Sequence, residues 1–153
     1  MVYSCSGKMT ELGGIFIEFD RWLKNLKINP KGLLYIGNQN KVELFELKEK
    51  GIPYVRKLII DNQFKTLSIL KNLDMSAFNI MIINMKDREY DLVSEGLPDM
   101  DVVVVRSHVP DYTNLNRLET FVSFMGYLGY AEAYRAEFKK EFIIDLLFTK
   151  SKK

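Results

Sequence analysis

The chain has 153 residues, of which 47% are hydrophobic and 27% charged, a length and mixture that fit one globular domain and exclude a disordered or fibrous protein. With 22 basic against 20 acidic residues the formal net charge is only +2, so there is no global field to draw the molecule onto nucleic acid or an anionic membrane. No stretch reaches the roughly 20 apolar residues of a membrane span, and the single cysteine, Cys5, rules out an internal disulfide, so the expectation is a cytoplasmic, reducing setting.

Residues 1–14, with Ser4, Ser6, Gly7, Gly13 and Gly14 and little apolar periodicity, read as an irregular lead-in, followed by one domain over 15–150 and a tail at 151–153. Lys150, Lys152 and Lys153 at that end read as a solvated terminus. Ile15, Phe16, Phe19, Trp22, Leu23 and Leu26 recur at helical spacing and predict an amphipathic helix that stops before Asn29-Pro30. Leu33-Leu34-Tyr35-Ile36-Gly37 is a short apolar run between turn residues, which predicts a buried strand and then a loop.

A helix is expected over Lys41–Lys50, a second strand over Arg56–Asp61, and a helix marked by Phe64, Leu67, Leu70 and Leu73. Asn79–Asn84 predicts a third strand and Asp87–Glu95 a helix. Asp101–Val105 is almost pure valine, as a central parallel strand covered on both faces requires. A helix follows over Asn114–Leu128. Tyr130–Phe138 and Phe142–Lys150 then read as strands separated only by Lys139-Lys140-Glu141, a link short enough for an antiparallel hairpin and too short for a helical crossover. The expected fold class is α/β, a Rossmann-like methyltransferase fold: a mostly parallel sheet with helices on both faces and a C-terminal antiparallel hairpin.

Particular residues reinforce that expectation. Asn29-Pro30-Lys31-Gly32 followed by Ile36-Gly37-Asn38-Gln39, then Ile60-Asp61-Asn62, the run Ile82–Val93, the strand Asp101–His108 and the closing Ile144–Lys150 resemble, in order, the motifs of the FkbM-like family of S-adenosylmethionine-dependent methyltransferases. The resemblance implies a cofactor site at Gly37, Asn38, Asp61 and Asn84, with Glu89 and His108 as catalytic candidates and a hydroxyl, such as a sugar's, as methyl acceptor. Asp61 stands about 20 positions beyond the glycine loop, where a carboxylate can hold ribose hydroxyls, and equally where an acid can cap the next helix. His108, the only histidine, can serve as a base at a strand end or as a structural side chain.

The motifs are eroded where the chemistry sits. Gly37 stands without companion glycines, an amide at Asn84 replaces the family's acid, Lys86-Asp87 replace Gln-Gly, and Arg106 reverses the charge at another acidic position. Lys86 and Arg106 at strand ends are expected to repel the cationic sulfonium of the cofactor. The segment 62–78 also lacks room for the strand and helix that the family inserts there. Two functions follow: a methyltransferase-like protein that has lost catalysis and acts as a structural or interaction subunit, with a protein partner or a homo-oligomer, or an active O-methyltransferase. Tyr127, Tyr130 and Tyr134 fit an interface or a core edge, and Arg135, Lys139 and Lys140 are too few to mark a nucleic-acid surface. No metal-ligand spacing, phosphate loop or serine-hydrolase elbow occurs.

Overall fold

A computed structural model describes residues 3–6, 21–37, 52–59, 71, 73–85, 93–94 and 97–151. Among the described residues seven strands form one sheet: β1 (Tyr3–Ser6), β2 (Leu33–Gly37), β3 (Val55–Ile59), β4 (Ile80–Asn84), β5 (Val102–His108), β6 (Tyr130–Phe138) and β7 (Ile143–Lys150), in the spatial order β1-β6-β7-β5-β4-β2-β3. β3, β2, β4 and β5 are mutually parallel neighbours, as is β1 with β6, whereas β7 lies antiparallel between β5 and β6. The sheet is therefore mixed, mostly parallel, and closed by the C-terminal antiparallel pair expected from the short link at Lys139–Glu141.

The two faces carry separate cores. Every residue of β2 and β4 and the first six of β5 are buried, which accounts for the near-continuous apolar runs of these strands. On one face Leu34, Ile36, Met81, Ile83, Val103 and Val105 pack with Leu118, Phe121 and Met125 of the helix α1 (Asn116–Tyr127). The spacing of those three helix residues makes one apolar stripe, and Phe121 meets Phe148 of β7 edge-on, with ring centroids 6.1 Å apart. On the other face Leu33, Tyr35, Ile80, Ile82, Val102 and Val104 pack with Trp22 and Leu23 of the helical segment 21–25. Helical residues thus cover both faces, and among the described residues no helix is long and apolar enough to cross a membrane.

The amino-terminal end of the sheet is tied by one side chain. The Asn79 Oδ1 accepts from the backbone N–H of Lys31 at 2.9 Å, and its Nδ2 donates to the Asn29 carbonyl at 2.9 Å and to Asp101 Oδ2 at 3.1 Å. Its backbone carbonyl accepts from the N–H groups of Asp101 and Val102, so the entries to β2, β4 and β5 converge on one residue. Gly32 makes room for this junction, because a Cβ there would stand 2.1 Å from the Ala77 carbonyl oxygen. The Asn29-Pro30-Lys31-Gly32 motif belongs to this clamp, at the end of the sheet opposite to Gly37 and Asn84.

Several expectations are revised. Part of the lead-in, Tyr3–Ser6, is a strand, joined to β6 by backbone pairing that leaves no mark in a sequence of small and polar residues. β5 runs on to His108 because Arg106, Ser107 and His108 pair with Asp145, Ile144 and Ile143. Of the tyrosines, Tyr130 is buried, with its hydroxyl accepting from Met100 N–H and donating to the Pro98 carbonyl, both at 3.1 Å. Tyr134 stacks on Trp22 with centroids 4.9 Å apart, while Tyr127 is 89% exposed. Arg135 is occupied by Glu132 and Glu119, which join β6 to α1. The helices expected over 41–50, most of those over 64–73 and 87–95, and the first part of that over 15–26 lie outside the described residues.

Val104 is central to one core, with 1% of its surface exposed and neighbours on β4 and β7. Val104→Asp should cost at least about 3 kcal/mol, since the new carboxylate has no water or partner. A thermal melt followed by far-ultraviolet circular dichroism should show loss of the cooperative transition or a large fall in its midpoint.

Candidate functional site

The chain leaves β2, adds β3 on one side, and then returns to place β4 on the other. The carboxyl ends of β2 and β4 therefore flank the point where strand order reverses, the usual place of a crevice in open α/β sheets. Gly37 and Asn84 are register partners there, so the two candidate cofactor residues on described strands come together.

What surrounds them is a buried polar row on the face of Trp22. Tyr35 points along β2 towards Gly37, and a Cβ at Gly37 would stand 2.6 Å from the tyrosine hydroxyl and 2.7 Å from its ring. The missing side chain at Gly37 is thus filled from within, by the ring of the residue two positions earlier. The Asn84 Nδ2 donates to the Tyr35 hydroxyl at 3.1 Å. Burial raises the Tyr35 pKa, while the Asn84 hydrogen bond and the charge of Arg106 pull it down. The phenol stays neutral and its oxygen serves as acceptor for the amide.

One step beyond the Ile83–Val105 partners, β5 carries Arg106, whose partner across β7 is Asp145. The guanidinium forms two parallel bonds, Nε to Oδ1 at 2.9 Å and Nη2 to Oδ2 at 3.0 Å, and Asp145 has no exposed surface. This corrects the expectation that Arg106 stands as a charge facing a ligand: its charge is matched inside the sheet. Burial pushes the Asp145 carboxyl up to about 6, against the charge and hydrogen bonds of Arg106.

His108 closes β5 two residues beyond Arg106, half-buried and opposite Ile143. Asn38, Asp61, Glu89 and Lys86 lie outside the described residues. Among the described residues no group of three or more His, Cys, Asp or Glu side chains is arranged to hold a metal.

Sequence reasoning passed over Tyr35 and Asp145. Asp145 had a usable signal: it is a lone acid inside the apolar run Ile143–Phe148, as Arg106 is a lone base after four valines, and two strands that each bury one charge of opposite sign are natural neighbours. Tyr35 had none, since an aromatic in a buried strand reads as ordinary core. Comparison of the chain with known protein families and with curated proteins finds no match.

Two measurements address this row. Gly37→Ala should destabilise by about 1–3 kcal/mol through collision with a ring that has nowhere to go, and the loss should be smaller than the sum when combined with Tyr35→Ala. For Asp145 the sign follows from proton binding: with a native value near 6 and an unfolded one of 3.8, the folded chain holds more protons between those limits, so its stability falls as pH rises through that window and is level above it. The displacement corresponds to about 3 kcal/mol. Denaturant titrations at pH 4 and pH 7 should therefore show wild type losing ground to Asp145→Asn by that order as pH rises.

Proposed function

We propose that the chain is a methyltransferase-like protein of Rossmann-like fold that has lost catalysis and works as a structural or interaction subunit. What supports the reading is four parallel strands closed by an antiparallel hairpin, with the last strand inserted beside the fourth, as expected of the methyltransferase variant of that fold, together with the motif order that resembles the FkbM-like family.

The observation that carries the loss of chemistry is the internal occupancy of the row at the strand switch. At a working site the cationic sulfonium of S-adenosylmethionine calls for a backbone approach at the glycine and an acid nearby. Here Tyr35 lies over Gly37, the neighbouring strand end offers the amide of Asn84, and the carboxylate at this level, Asp145, is fully committed to Arg106. An amide donates and accepts hydrogen bonds but balances no positive charge.

Calorimetric titration with S-adenosylmethionine and with its demethylated product tests the reading. The expected result is no saturable binding below the millimolar range. Tight, saturable binding that disappears in Asp61→Ala would instead restore an active O-methyltransferase, with His108 or Glu89 as the base for a hydroxyl substrate.

A further inference from the structure

β1 meets the sheet along one line. Tyr3–Ser6 pairs in parallel with Tyr134–Glu137 of β6, and among the described residues β1 is the last strand of the sheet on that side. Net of the bonds given up to water, a backbone hydrogen bond gains little, and fixing each residue in an extended conformation costs about as much. Bringing together segments so far apart in the chain adds a further entropic cost. With two serines among its four residues, the segment also has less apolar surface to add than the isoleucines of β4 or the valines of β5. Docking of such a strand is nearly balanced against its release.

β6, by contrast, is anchored by ties that do not pass through β1. Its other edge pairs antiparallel with β7 from Tyr130 to Phe138. Tyr134 stacks on Trp22, Arg135 is bound to Glu119 of α1, and the Tyr130 hydroxyl bonds to Met100 and Pro98. The register against β7 shifts between Glu132 and Tyr134, and β1 pairs with the run that starts just past this irregularity. Release of β1 therefore leaves the other six strands paired as they are. What it uncovers is a row of backbone N–H and C=O groups along Tyr134–Glu137. Such an edge accepts an extended strand, and here the chain fills it with a segment of its own.

We propose that Tyr3–Ser6 is a strap over the edge of β6, which docks and releases as a unit while the other six strands stay folded.

Hydrogen exchange of the whole chain, resolved amide by amide by nuclear magnetic resonance and repeated at low denaturant concentrations, tests the strap. The amides that join β1 to β6 should be protected, yet exchange about 100-fold faster than those joining β4 to β5, at rates that denaturant below the unfolding transition leaves unchanged. Successive N–H groups of a strand point to opposite sides, so Ser4→Pro combined with Cys5→Pro removes one donor that faces β6. That variant should open the outward amides of Tyr134–Glu137 to rapid exchange and leave protection in β4 and β5 as in wild type. Its melting temperature should fall by no more than about 2 °C. Protection of β1 that is lost only with global unfolding would overturn the proposal, as would a complete lack of protection at Tyr3–Ser6 or a variant that loses its cooperative melt.

Discussion

Arg106 and Asp145 meet on two central strands of the sheet, both buried, and their pairing governs how the C-terminal hairpin is seated. Because side chains alternate along a strand, sliding β7 by one residue against β5 would turn its apolar set over and leave both charges buried without partners. Stranding either charge in a core costs about 3–5 kcal/mol, more than ordinary changes of packing. A buried ion pair is a poor source of stability against a hydrophobic alternative, but it discriminates strongly between registers. The two parallel bonds between the fork of the guanidinium and the carboxylate add direction to that discrimination.

From this pair the rest of the row follows. β5 and β7, held in register, place Arg106 one step beyond the Ile83–Val105 partners, at the level where Asn84 ends β4 and Gly37 ends β2. Tyr35 fills the space at Gly37 and accepts from Asn84, so its hydroxyl and the Asn84 amide nitrogen are partnered within the chain. The opposite end of the sheet is organised differently, by one amide side chain, Asn79, that collects the entries to three parallel strands. Registration at both ends leaves the middle of each strand free to be apolar on both faces, and the four valines of β5 are the result.

Motif resemblance and three-dimensional position part company at instructive places. Asn29-Pro30-Lys31-Gly32, which sets the alignment to the family pattern, serves the structural clamp. Gly37, the glycine of the stretch that resembles the loop motif, makes room for a tyrosine of its own strand. Arg106, which by position alone reads as a charge set against a cationic ligand, is half of an internal pair. For the turn at Gly32 and for Arg106 the residue type was legible while its partner was not, because the partner lies far along the chain; for Gly37 the partner is two positions away and reads as ordinary core.

The sequence by itself determined the places of β2, β3, β4 and β5, the burial of β2, β4 and β5, and the antiparallel closure, because these depend on apolar spacing and link length along a continuous stretch of chain. Only the tertiary structure decided that Tyr3–Ser6 joins the sheet beside β6, that Asp145 meets Arg106, that Tyr35 covers Gly37, and that Phe142 stands out at the hairpin end. The first two outcomes rest on contacts between residues far apart in the chain, and the others on side-chain direction and the path of the backbone; local spacing carries no information about which backbone edge, charge or ring will fill a given place.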